Sequence, residues 1–116
     1  MERHNRGSKI PITTIFYDSS LDIAQPTSAN ITLSYPDGTV GADWPFDGTA
    51  QKTTTMALTI VSTILGTWAT TWDSAVSAPG IIFWSAVPSN LTFSVNEGEF
   101  LLRGNLANPT AVATTL

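Results

Sequence analysis

The chain contains no cysteine. Disulfides, thiolate metal sites and cysteine nucleophiles are therefore excluded, and stability has to come from an ordinary apolar core. Charge is scarce: 12% of the 116 residues are Asp, Glu, Lys or Arg, about half the usual share. Histidine occurs once, at position 4, which leaves imidazole acid–base chemistry a single candidate. Long apolar runs are also missing. The richest stretch, residues 56–65, is broken by Thr59, Ser62 and Thr63, and it falls far short of the roughly 18 apolar residues of a membrane span. Pro11, Thr13 and Thr14 interrupt the stretch after the basic start, so no secretory h-region is read there.

What charge there is lies unevenly. Arg3, Arg6 and Lys9 stand against Glu2 in residues 1–9, a net of +2, while Lys52 and Arg103 face eight acids in the remainder, a net of −6. An acidic body argues against nucleic-acid binding. The first nine residues are polar and basic, the composition of a flexible arm ordered by a partner.

The positive signal is a series of short β-type segments separated by turn dipeptides. In residues 10–17, Ile10, Ile12 and Thr14 share one face, with Ile15 and Tyr17 on the other, and Pro11 places the strand at a sheet edge. Residues 30–35 alternate, with Ile31, Leu33 and Tyr35 inward. Tyr35-Pro36-Asp37-Gly38 reads as a type I turn, followed by a short strand from Thr39 and a loop over 43–51. Residues 53–62 read as a strand with a helix as rival, since Met56, Ala57, Ile60, Ile64 and Leu65 also have near-helical spacing; the β-branched content favours the strand. Trp68, Thr70 and Trp72 share a face of the next strand. Pro79-Gly80 suits a type II turn, and residues 81–87 are nearly continuous in apolar residues, as in a strand covered on both sides. Residues 91–95 and 99–103 read as a closing hairpin about Glu97-Gly98. Together these segments predict one all-β domain, an antiparallel β-sandwich of about 7–8 strands over residues 10–104, with a flexible N-terminal arm (1–9) and an extended C-terminal tail (105–116).

Candidate chemistry is thin. His4 in an arm has nothing to hold it as a base. Asp37, Asp43 and Asp47 could bring oxygens to a cation, but their spacing matches no EF-hand loop and turn aspartates account for them. Glu97 and Glu99 would share a face as a carboxylate pair, but with Gly98 between them they read as a solvated hairpin tip. Asn30 and Asn90 begin sequon-like triplets, which a Thr-rich chain produces by chance. No enzyme activity, cofactor or metal is expected. Of four tryptophans, Trp68 and Trp84 are assigned to the core, Trp44 and Trp72 to exposed anchoring positions. Exposed indoles also leave open a carbohydrate-binding, adhesin-like module.

Several motifs have a shared rhythm: Phe16-Tyr17-Asp18 leading to Pro26-Thr27-Ser28, then Leu33-Ser34-Tyr35-Pro36-Asp37-Gly38-Thr39-Val40. Gly66-Thr67-Trp68, Ala78-Pro79-Gly80-Ile81-Ile82-Phe83-Trp84 and Glu97-Gly98-Glu99-Phe100 follow. This pattern, over about residues 12–104, resembles small immunoglobulin-like virion proteins of tailed bacteriophages. The resemblance implies a non-enzymatic structural protein made in the bacterial host cytoplasm and resident in the virion. It would be a multi-copy decoration or cement protein on the capsid surface, or a head–tail or tail component. Its partners would be the major capsid protein or other virion proteins, without nucleic acid or membrane. Arg3, Arg6 and Lys9, with the tail, would be contact segments, and Trp44 and Trp72 the anchors.

Overall fold

The computed structural model describes residues 1–37 and 51–104. The strand from Thr39, Asp43, Trp44, Asp47 and the tail 105–116 lie outside the described residues. The fold is all-β. Among the described residues its strands are β1 (Arg3–Asn5), β2 (Lys9–Ile15), β3 (Ala29–Pro36), β4 (Gln51–Ser62), β5 (Thr67–Asp73), β6 (Gly80–Pro88) and β7 (Asn96–Arg103), with one short 3-10 turn at Ser74–Val76. Residues 53–62 fall within β4, so the strand reading holds over the helical one.

The seven strands form one mixed sheet in the order β1-β7-β6-β3-β4-β5-β2. Strand β4 is long enough to serve two neighbours. Residues 51–58 pair with β3, and residues 59–62 pair with β5 across a bulge between Ile60 and Ser62. A bulge bends and twists its strand, and the sheet folds over here, bringing β2 and β5 across from β3, β6 and β7. The result is nearly closed, and the ends of the order approach each other. Asn96 Nδ2 on β7 donates to Thr14 Oγ1 (2.6 Å) and the Ile15 carbonyl (2.7 Å) on β2. Pro11 does sit on an end strand, where its missing N–H costs no ladder bond.

Alternation puts the core where period 2 requires it. Ile10 and Ile12 on β2, Ile31, Leu33 and Tyr35 on β3, Trp68 and Trp72 on β5, and Ile82, Phe100 and Leu102 on β6 and β7 are all buried. Aromatic rings join the layers: Trp72 lies 5.2 Å from Tyr35 and 6.1 Å from Phe100, between centroids, and Phe16 is edge-on to Trp68 at 6.4 Å. Such tilted pairs add to the energy of burial itself.

Four sequence expectations are corrected. The hairpin at Glu97-Gly98 does not exist: β7 runs through both residues, and residues 91–95 are irregular. Gly98 is there because Trp84, its register partner, lies against it. A Cβ added at Gly98 would meet Trp84 Cε2 and Cζ2 at 2.5 Å. Strand β6 is covered on one face only, leaving Ile81, Phe83 and Val87 exposed. The first nine residues are not a free arm: β1 pairs in parallel with β7, Arg3 opposite Leu101 and Asn5 opposite Arg103, so the sheet is mixed rather than wholly antiparallel. Backbone pairing across nearly a hundred residues leaves no trace in local composition. Finally, Trp72 is 2% exposed and part of the core.

Candidate binding surface

Three connections meet at one end of the sheet: residues 16–28 between β2 and β3, 63–66 between β4 and β5, and 89–95 between β6 and β7. They are tied together. Gln25 Nε2 donates to the Thr63 carbonyl (2.9 Å), Tyr17 and Ser94 exchange bonds of 3.0 and 2.8 Å, and Ser28 and Ser89 join the first and third connections at 2.9 Å. Each then presents an apolar side chain to solvent. Leu21 is 82% exposed, Ile64 89% and Leu91 77%. Leu65 and Val61 add to the same end. Only Asp18 and Asp22 carry charge in these three connections.

Leu21 is held in place. It is the non-glycine residue with positive φ among those described, at 64°. A β-carbon in that region crowds the following carbonyl, at a cost of about 1–2 kcal/mol. Asp18 imposes the conformation. Its carboxylate Oδ1 accepts the N–H groups of Ser20 (2.8 Å) and Asp22 (3.1 Å), and its carbonyl accepts the Leu21 N–H (3.0 Å). The Asp18 N–H donates to the Asp22 carbonyl (2.9 Å) and closes the turn. Asn90 builds a similar turn beneath Leu91, its Oδ1 accepting from Thr92 N–H at 3.0 Å. Pre-set turns therefore display leucines that the chain's own core does not use. Between the first and third connections runs a groove of about 650 Å³, lined by Pro26, Leu91 and Phe93 among others.

Of the contact residues expected from sequence, Arg3, Arg6, Lys9 and Trp72 lie toward the opposite end. Arg3 is exposed on β1. Arg6 turns inward, donating from Nε to the Ser77 carbonyl (2.6 Å) and from Nη2 to the Ala75 carbonyl (2.8 Å), so it satisfies the 3-10 turn. Lys9 pairs with Asp73 at 3.1 Å. Trp72 is in the core, and Trp44 lies outside the described residues. Of Arg3, Arg6 and Lys9, the structure assigns two internal partners. Trp84, expected in the core, packs against it and is partly buried. His4 is not in a floppy arm either: its ring is edge-on to Phe100 at 5.3 Å and its Nε2 meets Glu2. The apolar tips were missed by sequence reading, although isolated Leu and Ile inside turn segments were the available signal. Asp37, weighed as a cation ligand, is buried beside Ser77.

Asp73 caps the 3-10 turn. The Ala75 N–H, 3.1 Å from Asp73 Oδ1, and then the Lys9 ammonium hold its carboxyl below the usual 3.8. A lowered folded value means a contribution to stability present above pH 3.8 and lost as pH falls through the folded value. Carbon-detected NMR titration is expected to place the Asp73 midpoint below 3.8. Lys9→Ala should recover only part of the shift, because the amide is the larger cause; full recovery would contradict this assignment.

Comparison of the chain with protein-family models, curated proteins and solved structures finds no match.

Proposed function

We propose that the protein is a non-enzymatic structural component of a tailed-phage virion, present in many copies, that docks on the capsid surface as a decoration or cement protein. A place in the head–tail or tail apparatus is the nearest variant of the same reading. The sequence resemblance over residues 12–104 supports the virion class, less its Glu97-Gly98-Glu99-Phe100 element, which lies within β7, and one structural observation supports docking: Leu21, held at φ 64° and 82% exposed beside Ile64 and Leu91. Strain kept at a site without an internal benefit is a signature of function. Exposed apolar tips on rigid turns bury well against an apolar protein surface. An anionic membrane fits worse, since these connections hold two aspartates and no Lys or Arg. The first nine residues have a smaller role in this scheme than their composition implied, because Arg6 and Lys9 are engaged within the fold.

The glycan-binding alternative relies on exposed indoles. Trp68 and Trp72 are buried, which removes two of the four platforms it could use. Co-sedimentation with purified phage heads lacking this protein tests the proposal. Saturable binding is the expected result. A chain that stays in the supernatant with heads, while glycans quench its tryptophan emission, would overturn the proposal in favour of the alternative.

A further inference from the structure

We propose that β1 exchanges between copies, so that residues 2–6 of one molecule lie along β7 of a neighbour in the place of the neighbour's own segment. The inference rests on the multi-copy reading above, and its occupant is a second copy of this chain.

The first support is how β1 is held. It pairs with β7 at three positions. The Leu101 N–H donates to the Glu2 carbonyl (2.9 Å), the Arg6 N–H to the Arg103 carbonyl (2.8 Å), and Arg103 Nη2 to Asn5 Oδ1 (3.2 Å). These are almost all backbone contacts that any copy of the same segment reproduces. Within β1 itself the side chains add little, since Arg3 and Asn5 are exposed and His4 meets Phe100 edge-on, while Arg6 beyond it adds its two bonds to the Ser77 and Ala75 carbonyls. No apolar side chain of β1 is buried, so the strand belongs to the least stable part of the fold. When β1 leaves, β7 keeps its pairing with β6 along its other edge.

The second support is the connection to the body. Asn5 and Ser8 close a turn through the Ser8 N–H and the Asn5 carbonyl (3.2 Å). Gly7 sits in that turn at φ 94°, with no heavy atom within 4 Å of where a Cβ would stand. A glycine with open space around it can swing to an extended conformation without collision. Arg6 travels with β1 and finds the equivalent Ala75 and Ser77 carbonyls on the neighbour. Exchange of an identical element therefore restores the bonds of the segment, and what opening costs is the turn and the Gly7 N–H bond to Ser74 Oγ (2.9 Å).

Charge complementarity is the third. The moving segment, residues 2–6, carries Arg3 and Arg6 against Glu2, a net of +1, and the rest of the chain −5. The attraction acts equally on a neighbour's β7, and the high local concentration of an ordered shell offsets the cost of opening the turn.

A disulfide test is clean because the chain has no cysteine. Arg3 and Leu101 are register partners. The variants Arg3→Cys and Leu101→Cys each carry one thiol, and the double variant should close within one molecule in dilute solution, showing that the cradle is intact. Mixing the single variants at high concentration under a glutathione redox buffer is expected to give the mixed 3–101 disulfide in excess over both homodimers. The excess should also exceed that from Arg3→Cys mixed with Ala57→Cys, a position that pairs with β3 instead. Equal yields from the two mixtures, with the double variant closing normally, would overturn exchange. That outcome would leave docking on heads untouched, since no head is present in the experiment.

Discussion

Trp72→Ala is expected to lower the melting temperature by about 10–20 °C. Trp72 is 2% exposed and its ring packs on Tyr35 and Phe100, which belong to the facing layer. Its strand partner across β2–β5 is Ile10, also fully buried. Truncation would open a cavity where the two layers meet, and Trp→Ala in a core costs about 3–5 kcal/mol. Total stability for a domain of this kind is about 5–15 kcal/mol. The urea midpoint should fall by a large fraction of its value. Were Trp72 a surface anchor, the same change would move stability by less than about 0.5 kcal/mol, so an unchanged midpoint would contradict the packing described here.

The residues that were legible in sequence are those whose position follows from period 2. Ile10, Ile12 and Thr14, and Ile31, Leu33 and Tyr35, are buried as alternation requires, because a strand with one covered face has no other register that hides them. Trp72 was misassigned: it shares a face with Trp68, but its place near a strand end argued for exposure, and it is buried. Gly98 was misread because a Glu-Gly-Glu sequence has the composition of a turn. The glycine instead answers to an indole from another strand, fourteen residues away in sequence. The parallel pairing of β1 with β7 was illegible for the same reason, as its partner is remote and its own side chains are polar. The candidate surface lay between these extremes. Leu21, Ile64 and Leu91 stand in segments of turn composition, where apolar residues are out of place, but only the folded chain shows that the three connections share one end.

The second large effect concerns that end. Leu21, Ile64 and Leu91 are 77–89% exposed, so folding draws little on them. Burial of a leucine or isoleucine at an interface is worth about 1.5–3 kcal/mol, and about 1.4 kcal/mol is a tenfold change in affinity. Leu21→Gly should weaken docking about tenfold or more on that scale. The same change should not destabilise the protein, and it should raise stability slightly, because glycine accepts φ 64° without the crowding that leucine suffers there. Opposite signs for binding and stability separate a docking residue from a structural one. Combined with Ile64→Ser and Leu91→Ser, the loss should reach about 100-fold or more.

The most direct measurement is therefore co-sedimentation of the native chain and the Leu21→Gly/Ile64→Ser/Leu91→Ser variant with heads that lack the protein, with melting temperatures taken on the same samples. Docking through the apolar end predicts a bound fraction that collapses for the variant while its melting temperature holds or rises. A variant that saturates the heads at the same concentration as the native chain would show that this end is not the docking surface.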